Sequence, residues 1–369
     1  MMQLALRAAR LGLGTAAPNP SVGAVIADEA TGEVISVGTT APGGRPHAEP
    51  QATAAAGASA RGKTMYVTLE PCSHVGHTPP CVEAVLAAGV SRVVVAQEDP
   101  DPRVAGRGLD RLRQEGVAVT RGVLGDEARW LTRGHIVRVT ERRPMIQLKL
   151  AVGPDGTVPR GGSGTPLFVT GEIARAHGHM LRARADAILV GAGTVRDDDP
   201  DLTCRLPGLA GRSPVRVVLA GNGLPAPSCR LARTCRQVPV WIMAPARTIA
   251  AEGDAAQALR DAGCRLFEVS EVGGRPWLPS LCEALVGEGI TRLLVEGGPS
   301  LWKSFAQAGL VDEVRLFQSR PDAASTTGQS SDSGDFLGSL LPGLDLTAVD
   351  RRRLGPDDMT TLRHQPPRT

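Results

Sequence analysis

Aromatic side chains are scarce in this chain, 3% of 369 residues with a single tyrosine, Tyr66. Single-stranded nucleic acid is held by stacking bases on aromatic platforms, and so few rings exclude that mode of binding. Excess charge of one sign is lacking too: 41 basic residues face 38 acidic ones, a formal +3. The arginines are scattered, and the densest run, Arg351-Arg352-Arg353, reads as solvated surface rather than a basic patch. No apolar run approaches the ~20 residues of a membrane span. The opening MMQLALRAARLGLG has no cleavable apolar core and is expected to form an amphipathic helix, so no secretion signal is expected. Seven cysteines, an odd number, fit a reducing, cytoplasmic compartment better than a disulfide framework.

What the chain does have is concentrated between His47 and Cys81. His47 and Glu49 form a His-x-Glu, and Pro71-Cys72 is followed by a second cysteine, Cys81. One imidazole and two thiolates make a ligand set suited to zinc, and three protein ligands leave the fourth tetrahedral position for water, the mark of a catalytic site. Glu49 is better placed as a proton carrier than as a ligand. His-x-Glu followed by Pro-Cys and another Cys is the pattern of zinc-dependent deaminases of bases and nucleotides. Taken singly, His47 could pack locally and the cysteines could be small buried hydrophobes. The combination favours the metal. The cysteines lie further apart here than the two intervening residues usual in that superfamily.

Length suits two domains. Apolar periodicity predicts a helix over residues 2–13, a hairpin across VGAVIADEATGEVISVG, and a helix from His47 carrying Glu49 on its first turn. MYVTLE reads as a strand, with Cys72 expected to open the helix that continues through VEAVLAAG. A further strand, SRVVVAQEDP, and helix, GLDRLRQEG, complete a helix-covered mixed sheet near Arg121. Residues 123–143 read as a linker containing a helix, and the pattern then restarts. PMIQLKLAV, ADAILVGAGTV, VRVVLAG, VPVWIMAP and TRLLVEGG are buried strands, several ending in glycine before a helix, which places ligands at the carboxyl edge of the sheet. PDAASTTGQSSDSGD (321–335) reads as a mobile loop, GPDDMTTLRH as the last strand, and residues 365–369 as frayed.

Read in order, PNPSVG, HAE, YVTLEPCSH, TPPC, DPDPRVAGRG, IQLKLA, DAILVGAGTV, DDDPDLTCR and VEGGP resemble the bifunctional riboflavin-biosynthesis deaminase/reductases over nearly the whole chain. The resemblance implies an α/β chain: a cytidine-deaminase-like three-layer domain over 1–122, then a dihydrofolate-reductase-like domain over 144–369. It implies two reactions. The ring amine of 2,5-diamino-6-(5-phosphoribosylamino)pyrimidin-4-one is hydrolysed, and the ribosyl group is then reduced to ribityl with NADPH. On that resemblance His47, Cys72 and Cys81 hold Zn2+, Glu49 is catalytic, and Asn19 contacts the pyrimidine, although it also suits a turn between two prolines. Ala151, Thr194, Asp198, Gly297 and Gly298, with Gly191 and Gly193, fall on cofactor positions; Arg182, Leu202, Arg205 and Glu296 fall on substrate positions. A homo-oligomer paired through the reductase halves is expected by the same analogy.

The match has departures. HAEPQA carries Pro50 and Gln51 where the family reads Val and His, and His77 stands where a lysine or arginine is common. GPDGT lacks the basic residue of SLDGR, Phe168-Val169-Thr170 replaces W-I-T, Ala220 replaces an Asp, and QSRPDA replaces APKLLG. A relative that deaminates but has a degenerate reductase is therefore an alternative reading. A nucleic-acid base deaminase is disfavoured by the absent basic, aromatic surface and by the second half.

Overall fold

The computed structural model describes residues 1–76, 78–158, 169–320 and 333–364. His77, Phe168 and residues 365–369 lie outside them, as does 321–332, most of the stretch expected to be a loop. The chain forms two compact units, one of Met1–Pro144 with Gly289–Thr291, the other of Met145–Glu288 with Arg292–Thr369.

The first unit runs α1 (Met2–Leu11), β1 (Gly23–Ala27), β2 (Val34–Thr39), α2 (Ala48–Ala56), β3 (Thr64–Val67), α3 (Cys81–Ala87) and β4 (Arg92–Val95). It then continues through α4 (Arg107–Gln114), β5 (Ala118–Arg121), α5 (Gly125–Leu131) and α6 (Arg133–Glu141). The sheet order is β2-β1-β3-β4-β5. The first three strands pair antiparallel and the last two join parallel. Both sheet faces are covered, and β1 shows why. Ala24 and Ile26 enter a core with Ala48, Ala52, Val82 and Leu109, while Val25 and Ala27 enter another with Met2, Leu6 and Ala128. That period of two, apolar on both sides, is what a three-layer unit requires. The stretch read as a linker supplies α5 and α6 to this unit.

Two details position the site. Gly38 on β2 lies against α2 so closely that a Cβ would overlap the Ala48 carbonyl, which brings the first turn of α2 down onto the sheet. The third helix begins at Cys81, not at Cys72 as the sequence suggested. Three residues between the two cysteines, Gly76, Pro79 and Pro80, together with Pro71 just ahead, disfavour a helix there. Val82 N–H still reaches back to the Cys72 carbonyl at 3.2 Å, so the loop returns to its start.

The second unit contains β6 (Met145–Val152), α7 (Glu172–Ala183), β7 (Ala187–Gly191), α8 (Ala192–Asp198), β8 (Val215–Leu219), α9 (Arg230–Arg233) and β9 (Val240–Ala244). After these come α10 (Ala246–Ala251), α11 (Gly253–Ala262), β10 (Arg265–Glu268), the ribbon β11 (Glu271–Val272) and β12 (Arg275–Pro276), and α12 (Leu278–Gly287). The unit ends with β13 (Arg292–Val295), α13 (Pro299–Gln307), β14 (Glu313–Ser319), α14 (Ser333–Leu340), β15 (Leu346–Leu354) and β16 (Asp357–His364). Ser333–Asp335, expected within a loop, thus starts α14. The sheet order is β10-β9-β8-β7-β13-β6-β14-β16-β15, parallel up to β14 and closed by the antiparallel β16 and β15. Ala220, the family's Asp position, is fully buried in its core.

Candidate active sites

The first unit's site is built around the start of α2. His47 is the residue before that helix and Glu49 lies in its first turn. Pro50, also in that turn, is tolerated there because its missing N–H has no intrahelical partner to lose. Gln51 takes a fixing role: its amide donates to the carbonyls of Thr39, Pro46 and His47, tying the turn to the preceding loop. His47 Nδ1 lies 3.2 Å from Cys81 Sγ and 3.8 Å from Cys72 Sγ. The three ligand atoms all fall within 4.8 Å of one another, the one such His/Cys/Asp/Glu group among the described residues. An imidazole nitrogen facing two sulfurs at this spacing fits the tetrahedral Cys/His chemistry of zinc.

Electrostatics agree with the donor set. The Cys72 thiol is drawn down to about 4 by its hydrogen bond with Cys81, and then by His47 and the Cys81 backbone N–H, which donates to its sulfur at 3.3 Å. Cys81 is pushed the other way by the Cys72 sulfur beside it. Hydrogen bonding to Cys72 favours the charged His47 ring. Glu49, 3% exposed, is raised to about 7, chiefly by burial. A carboxyl near neutrality can both accept and return a proton.

Beside these groups opens a cavity of about 400 Å³ whose wall includes Asn19, Glu49, Glu70, Asp99, Asp101 and Arg138. Asn19 holds the turn and also borders this cavity. Its Nδ2 donates to the Gly44 carbonyl at 2.9 Å. Glu70 carried no prior assignment. Its buried carboxylate accepts backbone N–H groups from Gly106 at 2.9 Å, Gly108 at 3.0 Å, Asp99 at 3.3 Å and Leu109 at 3.4 Å. It thereby clamps the Pro71-Cys72 corner to the VAGRG loop, where a Cβ on Gly108 would overlap the Pro71 carbonyl. Replacing Glu70 by Ala leaves those donors unpaired and is expected to cost the first unit ~1–3 kcal/mol, read as a lowered thermal midpoint. An unchanged midpoint would remove the clamp from the account.

In the second unit the substrate-type residues converge only in part. Ala151, Arg182, Arg205 and Glu296 share a cavity of about 140 Å³ with Lys149 and His179. Arg182 and Glu296, 114 residues apart, form a two-pronged pair with both contacts at 2.9 Å. Leu202 is instead 3% exposed in the hydrophobic core, with a left-handed φ of 57°. A second cavity of about 330 Å³ lies at the carboxyl edge of the sheet, bordered by Gly191, Gly193, Gly221, Gly223 and Ser300. Nothing lies within 4 Å of the Cβ position of Gly191, so bare backbone faces the opening. Gly297 and Gly298 connect β13 to α13, with Gly298 capping that helix. Thr194 sits in the first turn of α8, and Asp198 is its last residue. Glycine backbone beside the start of α13 suits the pyrophosphate of a dinucleotide.

Burial alone would raise the Glu296 carboxyl, but the Arg182 guanidinium overrides it and holds the group at about 2. An unfolded glutamate titrates near ~4.3. The pair's stabilisation is therefore complete above that pH and is lost as pH falls through about 2. The parent protein is expected to lose stability more steeply over this acid window than a Glu296→Gln variant, measured by unfolding at a series of pH values. Parallel profiles would contradict it.

Comparison with known proteins places the geometry. Residues 1–97 match the cytidine and deoxycytidylate deaminase zinc-binding region, and residues 144–319 match the RibD C-terminal domain. The riboflavin biosynthesis protein RibD of Bacillus amyloliquefaciens is 36% identical over 358 residues, 96% of this chain and 93% of its own. The chain belongs to the RibD family. The Escherichia coli RibD is 38% identical over 327 residues, 86% of each chain. Acinetobacter baumannii RibD superposes with a TM-score of 0.81 at 32% identity, covering 99% of this chain and 98% of its own. A Thermotoga maritima diaminohydroxyphosphoribosylaminopyrimidine deaminase/5-amino-6-(5-phosphoribosylamino)uracil reductase gives 0.80 at 30% identity, covering 99% and 97%. The whole-chain match to RibD structures confirms the expected two-part α/β architecture.

Proposed function

We propose that this chain carries out both steps of the family's work in riboflavin synthesis. It removes the ring amine of 2,5-diamino-6-(5-phosphoribosylamino)pyrimidin-4-one by hydrolysis, and then reduces the ribosyl group to ribityl. Zinc and NADPH are the cofactors. The observation that carries the first step is the His47–Cys72–Cys81 group beside a buried, near-neutral Glu49. Those three residues would hold the zinc. When bound there, the ion supplies a hydrolytic water acidified toward neutrality. Glu49 accepts the proton released from that water, passes it to the ring nitrogen, and later delivers a proton to the departing ammonia. Asn19 offers its amide to the pyrimidine edge.

For reduction, NADPH supplies the hydride, and the protein's share is to place the cofactor against the sugar. Gly191, Gly193, Gly297 and Gly298 would admit the dinucleotide backbone, with Ala151, Thr194 and Asp198 beside it. Arg205, with a side chain 52% exposed at the smaller cavity and only a 3.6 Å contact to the part-exposed Asp201, would turn to meet the substrate phosphate, whereas Arg182 is committed to Glu296 and orients it. Leu202 contributes through its backbone. Ala220 and the other departures leave this glycine framework in place, and the matches to both family models favour the bifunctional reading over a degenerate reductase.

The seven cysteines are all free, which supports a reducing, cytoplasmic setting, and no helix among the described residues is long and apolar enough to cross a membrane. A homo-oligomer paired through the reductase halves completes the reading. Incubating purified protein with the diaminopyrimidine nucleotide and NADPH tests both steps. Ammonia release followed by loss of nicotinamide absorbance is expected; ammonia without NADPH consumption would leave a deaminase alone.

A further inference from the structure

Helix α6 falls between the segments that the two family models match, which end at residue 97 and begin at residue 144. Neither assigns its residues a role. Yet His135 and Arg138 on this helix line the same cavity as His47, Glu49 and Cys72. Their three-residue spacing puts both on one face.

The charged groups along that wall are mostly spoken for. Asp99 Oδ1 lies 2.9 Å from His135 Nε2, and both side chains are under 9% exposed. Both oxygens of Asp101 take the Arg103 guanidinium, at 2.6 to 3.1 Å. Arg45 bonds the Thr78 hydroxyl. Arg138 differs. Its Nε is buried with no hydrogen-bond partner, and no ion pair to it is found among the described residues. Burial, and then the positive charge of Arg103, work against its charged state. Asp101 and Asp99 act on it from a distance in the favourable sense, but neither is in contact with it. A buried guanidinium N–H with no acceptor is costly, and an anion entering from the cavity would satisfy it through paired N–H donors. The reactant of the deamination carries one such anion, its ribose phosphate; the ring oxygen is a neutral acceptor.

The geometry points to Arg138 as the residue that binds the substrate's phosphate in the deaminase cavity, with the Asp99–His135 contact fixing the helix face that presents it. This rests on reading the cavity as the deamination site. Arg103 lines the same cavity but is held by Asp101, which leaves Arg138, among the described residues, as the unpartnered cation there.

The test uses the full-length zinc protein and two reactants, the diaminopyrimidine nucleotide and its dephosphorylated nucleoside, with ammonia release as the readout. Arg138→Ala is expected to raise KM for the nucleotide ~10–100-fold while leaving the nucleoside's KM nearly unchanged. Arg138→Lys, which keeps a charge, should recover part of the loss. Zinc content and thermal midpoint report folding, and Arg138→Gln substitutes should the alanine variant fail to fold. Equal losses on both reactants, or none on either, would overturn the inference. A Glu49→Gln control separates the two readings. If that variant still releases ammonia, the site assignment itself fails; if it does not, and Arg138→Ala treats the two reactants alike, only the phosphate role falls.

Discussion

Glu49→Gln protein is expected to keep its zinc and to release ammonia from the nucleotide ~10²–10⁴-fold more slowly than the parent. Glutamine preserves the size of the side chain and its place in the first turn of α2, but it cannot accept a proton. The size of the effect follows from where the carboxyl sits. It is 3% exposed, and burial lifts it to about 7, so both of its protonation forms are populated at neutral pH. Water at the zinc must lose a proton and ammonia must gain one, and no other carboxyl shares the first turn of α2. Reduction supplies an internal control. Given the deaminated intermediate and NADPH, the same variant should turn over at the parental rate, because the substitution lies in the other unit. Loss of both activities would point to misfolding, and retention of ammonia release would remove Glu49 from the chemistry.

Arg182→Ala is expected to damage the second unit alone. The pair with Glu296 has side chains only 15% and 8% exposed, and its two hydrogen bonds are each 2.9 Å. Removing one partner leaves a buried carboxylate without its counter-charge, which costs ~3–5 kcal/mol. Arg182 also donates to the Thr203 carbonyl at 3.0 Å, so the loop before Arg205 loses an anchor as well. The thermal transition of the second unit should fall markedly and NADPH consumption with it, while ammonia release persists. An Arg182→Met/Glu296→Leu double variant discriminates stability from function. Replacing a buried ion pair with apolar groups is often neutral for folding, so the double variant should regain its thermal midpoint but not its reductase turnover. Recovery of both would mean that the pair serves packing only.

The metal group was legible in the sequence because its chemistry is carried by residue type: a histidine, two cysteines and an adjacent glutamate have few other uses in that order. The strands of both units were legible for a similar reason, since runs such as AILVG and RLLV are buried on both faces and have no polar register to confuse. What escaped was tertiary. Glu70 looks like any strand-end acid until the VAGRG loop folds over it. His135 and Arg138 lie on a short helix whose spacing is that of any amphipathic surface helix, so the sequence reads there only as a linker containing a helix. The sequence expectation has Cys72 opening a helix, but helix α3 waits for Cys81 because the intervening prolines and glycine cannot sustain one. In the second unit, Arg182 and Glu296 were both read as substrate contacts. Their mutual pairing across 114 residues could be seen only once β13 lay next to β7.

Metal analysis of the purified protein bears most directly on the central claim, that one imidazole and two thiolates make the hydrolytic centre. About one zinc per chain is expected, falling to near zero in a Cys72→Ser/Cys81→Ser variant that has lost ammonia release yet still consumes NADPH with the deaminated intermediate. A metal-free parent that deaminates, or a double-serine variant that retains zinc and activity, would contradict the account.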